Sequence, residues 1–451
     1  MTMTGTATTA TTATTMTTMT MTTPTRTFFL AFLLVFVTVL PVVTINGEVD
    51  FPPILDSDDI AYFFEQNDLD GLHWALSNVF IRSSRNPNDL QVVHELPDQI
   101  VSRGGGSTYT TAYKLKMDIE QAEYLVDSLK NESKAQYFET VALPLYEEIL
   151  DRIPPLSELE RTGGLYAFRP EDTQLGIQYV YNKATHLTNF KELRSDGDNG
   201  KPLPLLNPAL DKDKLQKQWF GEDPDHENPG VIVVDDLLTD AALQRIHQIM
   251  LESTVWYQTK MPLKFGGYVG AYIDDGLHDR LLLALAFELH KALPRIMKGN
   301  PFRYLWAYKY DSDYTGINTH ADEAAVNVNI WLTPDKANLD PDSGGLVVYT
   351  AKPPADWNFA EYNTNTDFVR EKLLEPTGFA NVTVPYRQNR AVIFDSALFH
   401  KTDDCKFKQG YKNRRINLTL LYGKMQRGSS DGRDSGSSSG NGGGNGGSDE
   451  L

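Results

Sequence analysis

The stretch Arg415-Ile416-Asn417-Leu418-Thr419-Leu420 constrains the fold most. Side chains of an extended segment alternate with period two. Ile416, Leu418 and Leu420 therefore share one face, and Arg415, Asn417 and Thr419 share the other. The apolar set belongs in a core. A polar row inside a last barrel strand needs partners, because a buried charge is costly unless paired. The forked guanidinium of Arg415 suits a bound dicarboxylate. A second stretch, Val326-Asn327-Val328-Asn329-Ile330-Trp331-Leu332, alternates in the same way. Its Asn327 and Asn329 either serve a site or form a satisfied polar pair, and Trp331 reads as core.

Two further segments of this strand-rich region carry metal-ligand chemistry. In His320-Ala321-Asp322 an imidazole and a carboxylate stand two apart, on one side of an extended strand. In Ala391-Val392-Ile393-Phe394-Asp395-Ser396-Ala397-Leu398-Phe399-His400 an apolar strand delivers a second histidine, which can approach the first pair in a closed barrel. Two histidines and one carboxylate occupy one face of an iron(II) ion and leave three positions open for a 2-oxo acid and dioxygen. Trp331-Leu332-Thr333-Pro334 and Ser343-Gly344-Gly345-Leu346-Val347-Val348-Tyr349 read as strand, loop and strand. His73, His94, His186, His226, His247, His278 and His290 lack ligand spacing and read as structural or surface residues. Cys405 is the one cysteine, so no internal disulfide forms, and it reads as unreactive.

Upstream, Val231-Ile232-Val233-Val234 is a short strand, followed by a helix over Asp236 to Glu252 with Thr239 as N-cap. A second helix is expected over Arg280 to Ile296, and strands alternate with turns from Tyr304 to Tyr422. This order indicates an α+β layout with a β-barrel or sandwich. Residues 56–191 are mostly helical: Ile119, Ala122, Leu125, Val126 and Leu129 share a face, and a helix from Ser133 to Ile153 is stopped by Pro154-Pro155. The expected organisation is a leader over 1–47, a mostly helical accessory domain over 48–194 and a linker over 195–229. The chemical domain then occupies 230–424, and a flexible Gly/Ser-rich tail 425–451.

The two ends address the chain. Residues 1–27 are Thr- and Met-rich with one basic residue, Arg26, and precede the apolar run Phe28–Leu40, read as a signal peptide or a signal anchor. The last residues, Ser448-Asp449-Glu450-Leu451, resemble the Lys/His-Asp-Glu-Leu signal recognised by a retrieval receptor of the endoplasmic reticulum, with Ser in the first place. Together they place the chain in the endoplasmic reticulum lumen. Sequons occur at Asn131, Asn381 and Asn417, the last within an apolar strand where a glycan does not fit. A net charge of -18 speaks against nucleic acid as a partner.

His320-Ala321-Asp322, His400 and Arg415-Ile416-Asn417-Leu418-Thr419 resemble, in order and approximate spacing, the iron(II)/2-oxoglutarate-dependent dioxygenase superfamily over roughly residues 230–424. The Arg-x-Asn-x-Thr strand is most like the DNA-repair branch. The strand–helix opening and the long approach to the first histidine look more like prolyl 4-hydroxylases. The resemblance implies a double-stranded β-helix (jelly-roll) with flanking helices. It implies His320, Asp322 and His400 as iron(II) ligands, Arg415 as the anchor of 2-oxoglutarate with Asn417 and Thr419 beside it, and a tyrosine before the first histidine. Tyr310 fills that last place, with Tyr308 on the same face. Lys412 and Arg414 are alternative anchors. It further implies ascorbate as an accessory reductant and hydroxylation of a protein or peptide side chain, proline favoured. A small-molecule or lipid substrate is an alternative, and a non-catalytic binding protein on the same fold is a third reading.

Overall fold

The computed structural model describes residues 55–81, 109–194, 202–313, 316–354, 357, 359–363 and 365–425. The leader, the apolar run and the C-terminal tail lie outside the described residues. The principal helices among the described residues are α1 (Ser57–Glu65), α2 (Leu69–Ile81), α3 (Ala112–Ser128), α4 (Leu143–Arg152), α5 (Lys212–Trp219), α6 (Asp240–Glu252) and α7 (Arg280–Ala292), with the short α8 (Phe359–Asn363) and α9 (Thr366–Val369). The strands are β1 (Tyr109–Thr110), β2 (Tyr166–Ala167), β3 (Val231–Val234), β4 (Gln258–Thr259), β5 (Tyr268–Tyr272) and β6 (Phe302–Tyr310). They continue with β7 (Val326–Trp331), β8 (Leu346–Tyr349), β9 (Asn381–Val384), β10 (Ala391–Asp395), β11 (His400–Thr402) and β12 (Ile416–Tyr422).

Local chemistry sets the helix ends. Thr111 caps α3 by accepting from the Lys114 amide, and Thr239 caps α6 by accepting from the Ala242 amide, as its sequence position predicts. Asp279 caps α7, which ends at Ala292, short of the expected Ile296. The expected helix over 133–153 forms in pieces. Residues 138–142 make a π-helical turn between Ser133–Tyr137 and α4, and α4 ends before Pro154-Pro155. The stretch read as a linker contains α5 and buries Leu205 and Leu206.

Seven antiparallel strands form the larger sheet in the order β3-β10-β7-β12-β6-β5-β4. Three strands, β11-β8-β9, form the smaller one, and a single bridge between His320 and His400 extends its edge. The four inner strands β6, β12, β7 and β10 and the smaller sheet with that bridge are the two faces of a double-stranded β-helix. The inner strands of the larger sheet are buried on both sides, and period two sorts them. Val326, Val328, Ile330, Ile393, Ile416, Leu418 and Leu420 pack on the helical side with Ile246, Leu282 and Leu285. Val392, Phe394 and Trp331 face Leu346, Val348 and Tyr386 of the smaller sheet's side. The α3–α4 segment has its own core of Leu115, Leu125, Phe138 and Ile149.

Candidate metal centre and co-substrate pocket

His320 and Asp322 lie in the connection from β6 to β7, and His400 opens β11. The sequence predicts one continuous strand for the first pair. Residues 318–325 instead form an irregular segment held at His320 by the bridge, where each backbone amide of His320 and His400 donates to the other's carbonyl, at 3.0 and 2.8 Å. The bridge brings the two imidazoles to 4.3 Å, centre to centre, with their planes tilted by 52°. Asp322 is fixed from the β10–β11 turn, where its amide donates to the Ser396 carbonyl and the Ser396 hydroxyl donates to its own carbonyl.

Each histidine has its tautomer set by a backbone carbonyl. Nδ1 of His320 donates to Asn318 O at 2.8 Å, and Nδ1 of His400 to Leu398 O at 3.1 Å. In the neutral form of each ring the lone pair is therefore on Nε2. Those atoms stand 3.6 and 3.4 Å from the two Asp322 carboxylate oxygens, and one ligand atom from each residue lies within 4.8 Å of the others. The Asn327 amide holds the carboxylate at 2.5 Å. Lone pairs and a carboxylate turned towards one another repel unless a cation sits among them, so the donor set fits a metal with open positions on one side.

A polar row runs along the same interior face of β7 and β12. Asn329 and Asn417 both donate to the Thr419 hydroxyl, at 3.1 and 3.2 Å, and Arg415 Nη1 donates to Asn417 Oδ1 at 3.3 Å. Arg415 is 2% exposed. Its Nε and Nη2 reach the carbonyls of Gly344 and Gly345 at 2.8 and 3.2 Å. Close approach explains the second glycine: a Cβ at Gly345 would strike the Val384 carbonyl and the Trp331 ring. Tyr310, Tyr386 and Trp331 place their rings 4.5, 5.8 and 5.9 Å from the guanidinium carbon. Burial opposes the charge, the neighbouring Tyr310 favours it, and the Arg415 pKa is raised above its ordinary value. Among the described residues no carboxylate pairs with it.

The other two anchor candidates lie elsewhere. Lys412 is exposed, over the Tyr124 ring. Arg414 is buried but engaged, binding Glu120 of α3 at 2.6 and 2.9 Å and Asp311 at 3.0 Å. Tyr310 lies beside Arg415, with its hydroxyl 3.4 Å from the Thr402 hydroxyl. Tyr308 is directed towards Tyr272, hydroxyl to hydroxyl at 3.1 Å.

Trp331 is core, as read, and more. It stacks on Tyr386 at 5.3 Å, yet its indole N–H has no partner, and neither does the carbonyl oxygen of Asn327 or Asn329. Buried polar atoms are rarely orphaned. An orphan donor beside an uncompensated guanidinium fits a carboxylate. Sequence reasoning missed Tyr386, the glycine carbonyls and this N–H; the alternation that placed Asn327 and Asn329 on the interior face also places Trp331 there. Burial raises the Cys405 thiol pKa, with Arg415 opposing, so the thiol stays protonated.

No family model and no curated protein matches the chain. It is similar to solved structures. HygX from Streptomyces hygroscopicus, with nickel, 2-oxoglutarate and hygromycin B bound, is 12% identical, with 44% of this chain and 82% of that chain covered and a TM-score of 0.29. A Pseudomonas putida prolyl-4-hydroxylase is 14% identical over 47% and 99%, with a TM-score of 0.30. A prolyl 4-hydroxylase structure from Phytophthora capsici is 16% identical over 49% and 68%, with a TM-score of 0.27. By its own strand order and side-chain geometry, the chain carries the double-stranded β-helix and the two-histidine, one-carboxylate cluster of the iron(II)/2-oxoglutarate oxygenases that its sequence resembles.

Proposed function

We propose that this protein is an iron(II)/2-oxoglutarate-dependent hydroxylase of a protein side chain, with proline favoured, in the lumen of the endoplasmic reticulum. The observation that carries the chemistry is Arg415: a fully buried cation with no carboxylate partner among the described residues, on the same interior face as the His320–Asp322–His400 cluster. A buried charge left unpaired is strongly destabilising, and a dicarboxylate co-substrate supplies the missing anion.

Bound iron(II) and 2-oxoglutarate supply one overall reaction, in which dioxygen and the oxo acid yield succinate and carbon dioxide while a C–H bond becomes C–OH. The chain's residues hold the parts. His320, Asp322 and His400 would ligate the metal through Nε2, a carboxylate oxygen and Nε2. Asn318 O and Leu398 O keep the imidazoles oriented, and Asn327 holds the carboxylate. Arg415 and the Trp331 N–H would bind the far carboxylate, while Tyr310 and Tyr386 wall it from water. Asn417 and Thr419 brace the guanidinium.

The apolar run Phe28–Leu40 and the Ser448–Leu451 end support the luminal reading. Asn131 and Asn381 are exposed and accessible to glycosylation, whereas Asn417 is buried in the site. Succinate release with iron(II), with and without proline-rich peptides, tests the function. Peptide-stimulated release with a mass gain of one oxygen on the peptide is expected, and His320→Ala abolishes it. Release that no peptide stimulates would turn the reading to a small-molecule substrate, and no release at all would exclude the enzyme.

A further inference from the structure

Ala321, between the two ligands on the β6–β7 connection, is held by a device that the metal cluster does not explain. Backbone alternation turns the amides of His320 and Asp322 towards the His400 segment, where they donate to His400 O and Ser396 O. It turns the peptide groups of Ala321 the opposite way. There the side chain of Asn363, the last residue of α8, meets both: its Oδ1 accepts from the Ala321 amide at 2.8 Å and its Nδ2 donates to the Ala321 carbonyl at 3.0 Å. A carboxamide presents a donor and an acceptor side by side, so one side chain does what a paired residue of a neighbouring strand would do.

Asn363 comes from the long connection between β8 and β9, which also carries α9. That connection is packed against the centre. Tyr362 sets its ring edge-to-face on Phe399, the residue before His400, at 5.3 Å. Tyr362, Val369, Leu373 and Leu374 share a buried cluster with Ala321 and Phe399. The segment carrying His320 and Asp322 is otherwise irregular, so its backbone has no strand ladder to fix it on this side.

We infer that Asn363 is a positioning residue for the metal centre: its two-point clamp on Ala321 sets the spacing of His320 and Asp322, and so ties metal affinity to the β8–β9 connection. The inference rests on the reading of the His320–Asp322–His400 cluster as a metal site. Outer partners of ligands are worth about 10–100-fold in metal affinity. Asn363→Ala removes both bonds. Asn363→Asp keeps the acceptor but sets a carboxylate oxygen against the Ala321 carbonyl.

Anaerobic Mn(II) titration of the full chain by calorimetry tests this, with Asn365→Ala as control. Asn365 caps α9 of the same connection through the Phe368 amide and does not touch Ala321. Expected is a loss of about tenfold or more in Mn(II) affinity for Asn363→Ala and Asn363→Asp, and none for Asn365→Ala. Hydrogen exchange gives a metal-free readout: the Ala321 amide is protected in the wild type and in Asn365→Ala and exchanges fast in both Asn363 variants. Unchanged affinity in the Asn363 variants, or an equal loss in Asn365→Ala, overturns the clamp while leaving the metal site intact. A wild type that binds no Mn(II) removes the metal reading and the inference with it.

Discussion

The two faces of β7 and β12 are equally buried and chemically opposite. On the helical side Val328, Ile330, Leu418 and Leu420 are 0% exposed and belong to the main apolar core. On the interior side Asn327, Asn329, Trp331, Arg415, Asn417 and Thr419 are no more than 8% exposed, yet three of them carry an orphaned polar atom and one an uncompensated charge. Burial alone does not tell a core from a site. What tells them apart is unfinished hydrogen bonding: the first face is complete as folded, and the second leaves donors and acceptors open to a ligand.

Substitutions on the two faces should therefore separate binding from stability. The largest effect is expected at Arg415. Arg415→Leu raises the KM for 2-oxoglutarate by about 100-fold, because truncating one side of a buried charge pair costs about 2–5 kcal/mol. Its effect on the melting temperature of the ligand-free protein is small, because relief of the unpaired buried charge offsets the three oxygen acceptors left without their donor. Leu418→Ala on the opposite face reverses the pattern. It costs about 2–5 kcal/mol in denaturant unfolding and leaves the KM for 2-oxoglutarate unchanged. A KM shift in Leu418→Ala comparable to that in Arg415→Leu would erase the distinction between the faces.

Trp331→Phe is the finer probe: it keeps an aromatic ring against Tyr386, removes the orphan N–H and leaves a small cavity where the rest of the indole was. A KM increase of about tenfold is expected, with stability lower by about 0.5–3 kcal/mol from the cavity, partly offset as the penalty of an unsatisfied donor disappears. An unchanged KM would assign Trp331 to the core alone.

These contrasts also show what the sequence discloses. Strict alternation in Arg415–Leu420 and Val326–Leu332 was legible, and with it the two faces. His-x-Asp, His400 and the N-cap at Thr239 were legible because each depends on near neighbours in sequence. The choice among Lys412, Arg414 and Arg415 was not, because Glu120 and Asp311, which neutralise Arg414, lie 294 and 103 residues away. Nor was the role of Trp331, since an indole with a missing partner reads the same as one with a partner. The π turn at 138–142 has no sequence signal that we can identify.

The smallest effect concerns the helical layer behind the apolar face. Burial lowers His247 of α6 and His278, just before α7, from 6.5 to about 4. A histidine with a depressed folded-state pKa adds stability that is present above pH 6.5 and lost as the pH falls towards 4. Burial raises Asp274 and Asp279 to about 6, so their contribution has the opposite sign: present below pH 3.8 and lost as the pH rises through 6. Melting temperatures measured from pH 7 to pH 4 should fall less steeply in His278→Gln than in the wild type, and more steeply in Asp274→Asn. Equal slopes in all three would mean that these groups are not buried in solution.

If the interior face of β7 and β12, with His320, Asp322 and His400, is one site for a metal and a dicarboxylate, the two bind there together. Anaerobic calorimetric titration of 2-oxoglutarate into the Mn(II)-loaded chain tests it directly. One 2-oxoglutarate bound per chain is expected, with affinity falling sharply when Mn(II) is omitted and by about 100-fold in Arg415→Leu. Binding that is indifferent to both the metal and Arg415 would contradict it.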